Sequence, residues 1–238
     1  MLRRITDICT RFLGWSFRLR RVHIVGIGKL VKVNLGSGLA VATDWTNVDG
    51  SLNALFASCP RWIHRMTYRV SGASGYYTFQ QYHSLLSQNR FVFHDLSYGA
   101  PFADNAVDYV FSSHFLEHLS RRDGCRLIGE IYRILKPGGR VRLSVPDLDY
   151  ALSLYNRGEK ELMLQNYFFV DHDGSHHSRH KYMYEYDGLK NILAENGFVD
   201  IEKWVFQKGK LPDIELLDNR PEDSLFVEAV KPDTVGKM

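Results

Sequence analysis

Two kinds of residue in this chain are placed to do chemistry. The first is a set of carboxylates, each closing a short apolar run: Asp49 after TNV, Asp95 after FVFH and Asp147 after RLSVP. Ahead of Asp49 stands Gly36-Ser37-Gly38, where missing β-carbons permit a tight turn and close approach of a ligand to the backbone. A carboxylate at a strand end can take both hydroxyls of a ribose while a glycine turn holds the far end of the ligand, so the pair describes a nucleotide site. The second kind is histidine. His114 and His118 bracket the HFLEH motif, and His172, His176, His177 and His180 crowd the loop from Asp171 to His180. Imidazole titrates near neutral pH and can act as a base; with Asp171 and Asp173 it could also hold a transition metal. The loop's spacing is crowded and no cysteine lies near it, so substrate binding or base chemistry is expected there and no metal, with a plain surface loop as the alternative. Glu117 and His118, at a helix start, read equally well as capping and packing or as chemistry.

The elements that must position these groups follow from periodicity. Val31, Val33 and Leu35 alternate with Lys32 and Asn34, as in a strand. It runs into the glycine turn, and a second strand, about Trp45 to Val48, ends at Asp49. Residues 51–90 are long for a crossover. Leu52, Leu55 and Phe56 predict a helix stopped near Cys59-Pro60. Ser71 to Gly75 predicts a break, and Tyr76, Phe79, His83 and Leu86 predict a second helix, read as core or as a lid. Further strands are expected at 91–95, 107–113, 140–145, 198–206 and 224–231. Helices are expected before Lys136-Pro137-Gly138-Gly139, at 148–156 and at 186–196. Val22 to Gly28 also offers a strand and a G-x-G, but the chain continues as a strand, so it is rejected as the cofactor turn. The result is an α/β fold: a doubly wound, mostly parallel sheet with helices on both faces.

Composition bounds the rest. The 238 residues are 45% hydrophobic, enough for a sizeable core and one main domain. Three cysteines at no metal-like spacing point to a reducing compartment. No apolar run reaches the ~18 residues of a membrane span, and nothing resembles a cleavable signal peptide. A cytoplasmic location is expected. The net charge of +3 is uneven, because the first 21 residues hold six arginines and one acid, Asp7. With Phe12, Leu13, Trp15 and Phe17 interleaved, this start reads either as a helix packed on the domain or as a dock on the inner membrane surface; nucleic acid is not an expected partner. Residues 1–30 are therefore taken as a basic extension and 31–238 as the domain.

The details of the glycine turn choose the ligand. Val41 stands where a dinucleotide fingerprint has its third glycine, and Asp49 follows Gly36 by 13 residues, short of the ~20 typical for NAD. The ordered set NLGSG, NVDGS, FHDLS, VDYVFSSHFLEHL, LKPGGRVRLSVPD and LAENGF resembles the class I (Rossmann-like) S-adenosylmethionine-dependent methyltransferases. The tail, HHSRHKYMYEYDGL followed by NGF and DSLFVEAV, is similar to small methyltransferases associated with polysaccharide biosynthesis. The resemblance implies a seven-stranded sheet with its last strand antiparallel and the cofactor lying across the carboxyl ends of the strands. It implies that Asn34, Leu35, Gly36, Ser37 and Gly38 hold the amino-acid end of S-adenosylmethionine through backbone groups, and that Asp49 binds the ribose. Asp95 and the Leu96 amide would bind the adenine edge, and Ser113 and His114 would face the methionine part. Two departures stand out: Asn34 replaces the family's usual acid, and the helix after Gly38 is truncated.

Methyl transfer from a sulfonium is an in-line displacement that needs acceptor and methyl held in a dry site. A hydroxyl acceptor also gains from a base. Candidates are His114, His118, Asp147, His176, His177 and His180, of which Asp147 and His177 are preferred, with His114 beside them. The expected activity is O-methylation of a sugar or other glycan-linked hydroxyl. The alternatives are a small lipid-like acceptor such as a quinone, or a cofactor-binding module without catalysis.

Overall fold

The computed structural model describes residues 10, 13–24, 30–169 and 179–233. The alternation of the apolar runs becomes a single seven-stranded sheet: β1 (Lys32–Leu35), β2 (Thr46–Asp49), β3 (Arg90–Phe93), β4 (Val107–Ser113), β5 (Leu135–Pro146), β6 (Val199–Trp204) and β7 (Ser224–Val230), in the order 3-2-1-4-5-7-6. Strand pairs 1–2, 1–4, 2–3 and 4–5 are parallel, whereas β7 is antiparallel to both β5 and β6. The order reverses between β1 and β4, which opens the crevice at their carboxyl ends where open α/β sheets bind ligands.

One face of the sheet buries Val33, Leu35, Val110, Val141, Leu143, Leu225 and Val227 against α4 (Arg121–Ile134) and α6 (Tyr186–Glu195). Leu127, Ile128, Ile131 and Ile134 of α4 recur at helical spacing on its buried side. Ser120 caps the helix by accepting from the Asp123 amide. The other face is covered at its β3 edge by α1 (Leu52–Phe56), α2 (Arg61–Val70) and α3 (Phe79–Gln88). Over its centre lie Ala42, Trp45 and a short helix, Ile214–Leu217, around Phe111.

Three local features differ from expectation. The crossover holds an extra helix, α2, which buries His64 and Thr67 while Trp62 and Met66 stand 64% and 60% exposed. Its polar groups face inward, so hydrophobic periodicity gives no sign of it. Tyr76 lies outside α3 and is exposed; α3 begins at Phe79 behind a Thr78–Gln81 capping box. Tyr82 and Leu86 are core residues. Finally, no helix follows the glycine turn. Residues 36–45 pass directly into β2, held by the Gly36 and Ser37 amides donating to the Val48 carbonyl. Parallel neighbours usually need a helical crossover. Here the Asn34 side-chain amide replaces part of that support, donating to the Ala40 carbonyl at 2.9 Å and to Asn47 at 3.2 Å.

Among the described residues no helix is long and apolar enough to cross a membrane. Val22 to Gly28 is described only as far as Ile24, and His172, His176 and His177 lie outside the described residues.

Candidate active site

At the end of β1, Gly36 and Gly38 both adopt left-handed backbone, with φ of 70° and 51°. Their surroundings differ. The space a side chain at Gly36 would need is filled by Phe115, so this glycine makes room for the protein's own ring rather than for a ligand. A β-carbon at Gly38 would meet nothing within 4 Å. The turn is tied to β2 through Asp49, which accepts from the Gly38 amide at 2.9 Å and the Ser51 amide at 2.8 Å. A carboxylate has about four lone-pair sites, so two remain for a ligand. The hydroxyls of Ser37 and Ser51 are buried without a partner on either side of it. Buried polar atoms are normally satisfied, and this pair marks a cradle for hydrogen-bonding groups.

At the end of β3, Asp95 accepts from the Ser97 amide at 2.9 Å, while the Leu96 side chain is buried in the core, leaving only its backbone for a ligand. The arginine-rich start of the chain arrives here. Residues 13–17 are helical, and Gly14 packs on Asp95 so tightly that a β-carbon would stand 2.8 Å from the aspartate's own. Phe17 meets Phe93 edge to face at 6.0 Å. The Val22 amide donates to the Pro101 carbonyl, and Arg21 to the carbonyls of Ala100 and Phe102. The described part of the basic extension is thus packed on the domain and walls the site beside Asp95.

At the end of β4 the chain turns through His114, whose φ of 49° is left-handed and uncommon for a residue with a β-carbon. Such strain concentrates at functional positions. The turn lets the imidazole lie between two partners. Its Nε2 is 2.8 Å from the Ser224 hydroxyl at the start of β7, and its Nδ1 is 3.4 Å from Glu117 Oε1, a charge contact rather than a formed hydrogen bond. Glu117 is 1% exposed. Burial pushes its carboxyl up, but the facing His114, and the charges His114 and His118 carry when protonated, outweigh that and hold it below the ordinary carboxylate range. Ser113 reaches Asn219 at 3.4 Å.

Asp147, at the end of β5, is committed elsewhere. One oxygen caps α5 (Leu148–Asn156) by accepting from the Asp149 amide, and the other lies 3.4 Å from Lys203. Beside this cap is a cavity of about 380 Å³ lined by Tyr150, Tyr167, Asn219, Arg220, Glu222 and Asp223 among others. The Tyr167 hydroxyl is 3.2 Å from Asp223, and burial, then that carboxylate's charge, raises its pKa. Sequence reasoning missed Phe115, Ser224 and Asn219 as parts of the site, and left Glu117, an acid in a motif flanked by histidines, open between packing and chemistry. Ser224 and Asn219 reach the site from more than a hundred residues away.

A family profile described as "Methyltransferase domain" matches residues 63–143, from within α2 to Leu143 of β5, including the ends of β3 and β4. The sheet order, with its antiparallel seventh strand, is the fold of that class. The chain carries a class I S-adenosylmethionine-dependent methyltransferase domain. Its cofactor is S-adenosylmethionine. Among solved structures, a chain of the complex between the Haloferax volcanii Trm112 methyltransferase activator and a methyltransferase is 16% identical, with all of both chains covered and a TM-score of 0.51. A SAM-dependent methyltransferase from Archaeoglobus fulgidus is 16% identical over 95% of this chain and 94% of that one, with a TM-score of 0.52. At such identities the likeness speaks for the fold. No curated protein matches the sequence. The methyltransferase fold accounts for the strand-end acids. At Gly36 the ring of Phe115 occupies the space a β-carbon would need.

Proposed function

We propose that this methyltransferase transfers its methyl group to a hydroxyl of a sugar or glycan precursor. The observation that carries the reading is the cavity beside β5. The half-buried ring of Tyr150 and the Tyr167 hydroxyl stand next to an amide and charged groups at Asn219, Arg220, Glu222 and Asp223. Ring faces can lie on the C–H surface of a sugar while side chains that donate and accept take its hydroxyls. The association with polysaccharide biosynthesis rests on the similarity of the chain's tail to such methyltransferases.

Asp49, the Gly38 turn and the hydroxyls of Ser37 and Ser51 hold the ribose and amino-acid end of the cofactor, and Asp95 with the Leu96 amide the adenine edge. Asn34 and Leu35 offer backbone groups at the entry to the turn, which the Asn34 side-chain amide braces through Ala40 and Asn47. Ser113 and His114 line the side from which the acceptor comes. Bound there, S-adenosylmethionine supplies the activated methyl group.

His114 is the preferred base. Its Nε2 takes the acceptor proton through the Ser224 hydroxyl, next in sequence to the cavity-lining Asp223, and Glu117 steadies the imidazolium that results. Asp147 is the weaker candidate because capping α5 employs its carboxylate. His177 remains the candidate from the histidine-rich loop. Methyl transfer to a panel of nucleotide sugars, oligosaccharides and quinols tests the acceptor class. A sugar product is expected, and the His114→Asn variant should lower turnover by about 10²–10⁴-fold, the usual contribution of a general base. Methylation of quinols with no sugar product would overturn the proposal.

A further inference from the structure

Glu117 has binding capacity beyond its 3.4 Å contact with His114. Both of its oxygens are buried and neither has a hydrogen-bond partner. A buried carboxylate is costly unless it is paired and bonded. The groups facing it are imidazoles. His118 stands with Nε2 at 3.9 Å from Oε1, and His180 completes a group whose ligand atoms all lie within 4.8 Å of one another.

The two histidines are held in one particular tautomer. Nδ1 of His118 is 3.2 Å from the Arg179 carbonyl and Nδ1 of His180 is 2.7 Å from the Tyr167 carbonyl. A carbonyl only accepts, so each Nδ1 must carry the proton, and in the neutral ring each Nε2 is left with a bare lone pair. Orienting a ring by a backbone carbonyl on one nitrogen while the other binds a metal is the usual arrangement around metal-ligating histidines. The segments that supply the ligands are tied together: the amides of Lys181 and Tyr182 donate to the Glu117 carbonyl at 2.7 and 3.3 Å.

We propose that Glu117, His118 and His180 form a binding site for a divalent transition-metal ion of the zinc class. Two imidazoles and one carboxylate without sulfur suit zinc and its neighbours, and three protein ligands leave one coordination position open, as in catalytic rather than structural zinc sites. With bonds of about 2.0–2.2 Å at tetrahedral angles, two ligand atoms stand ~3.4 Å apart, so an ion would draw the widest pair in by up to ~1.4 Å. His118 is one-quarter exposed, which leaves the ion a way in. The sequence conceals the site because its ligands come from two segments, Glu117 and His118 from the HFLEH motif and His180 from the end of the histidine-rich loop.

The test uses the untagged full chain, stripped with a chelator and titrated calorimetrically with Zn²⁺. One equivalent should bind. Loss of an orienting partner typically costs 10–100-fold in metal affinity, so removing a ligand outright in His180→Ala or His118→Ala should cost at least about tenfold. His176→Ala and His177→Ala should leave affinity unchanged. A measurement that needs no variant is the proton spectrum of the Co²⁺ complex, where two contact-shifted exchangeable imidazole protons are expected, one from each Nδ1. Absence of stoichiometric uptake would overturn the site. So would uptake that survives loss of both His118 and His180, or a Co²⁺ spectrum lacking those two protons.

Discussion

Arg142 shows what one residue can contribute without touching the reaction. Its place in RVRLSV reads as an outward strand position, yet the side chain is 0% exposed. The guanidinium is bidentate to Asp218, at 2.9 and 2.5 Å, and reaches Glu228 at 3.1 Å and the carbonyls of Lys208 and Val205. Glu228 in turn accepts from the amides of Lys210 and Leu211. This network stands where other open sheets would have a covering helix, and it pins the connection between β6 and β7 to the sheet. Replacing a whole buried network by apolar groups can be neutral, but removing one partner strands the others. Arg142→Leu leaves the buried Asp218 without a cation and Glu228 with only the longer Arg140 contact at 3.4 Å, and should cost about 3–5 kcal/mol of stability, read by urea unfolding. A cost under about 1 kcal/mol would mean that water reaches Asp218 and Glu228 once the arginine is gone.

At the scale of elements, the strands and the long helices were legible because their apolar residues keep strict periods, as in Val31-Val33-Leu35 and in α4. The strand-end acids were legible for the same reason, each lying one step past an apolar run. Elements whose inward face is polar were not: α2 turns His64 and Thr67 inward and leaves Trp62 and Met66 outside. The arginine-rich start was ambiguous, since charge and aromatic content describe a membrane dock and a packed helix alike. Its contacts with Asp95 and Phe93 lead to a definite expectation. A membrane dock could be deleted without effect on the cofactor, whereas a wall of the adenine end could not. Deleting residues 1–19 should weaken S-adenosylmethionine binding, with Phe17→Ala reproducing a part worth about 0.5–1.5 kcal/mol, the usual value of an aromatic pair beyond its buried area. Calorimetry on the truncated chain decides it: unchanged affinity would make the segment a bystander, and tighter binding would make it a plug.

For the molecule as a whole, a single sheet reversal gathers the glycine turn, Asp49, Asp95, His114 and the cavity at one edge, which local pattern could anticipate only in part. The contacts across that edge, such as His114 with Ser224, join positions far apart in the chain, and a single sequence carries no trace of them. The same long-range burial governs how the whole fold responds to acid. His94 is buried at the end of β3, and burial, with Arg21 and Arg20 nearby, lowers its pKa against the opposing pull of Asp95 and the Gly99 backbone. His83 is lowered too, by burial and then by His64 and Arg61. In the unfolded chain both titrate near ~6.5. As the pH falls below that value the unfolded state takes up protons that the folded state refuses, so stability declines until the lower folded values are reached. The carboxylates held low by arginine, Asp104 and Glu130, lose their contribution only further down, below about pH 4.5. The window between about pH 7 and about pH 5 therefore isolates the histidines. The urea midpoint should fall across it, and His94→Gln should flatten the slope. A midpoint that stays level or rises on acidification would show that His94 is free to protonate in the folded chain.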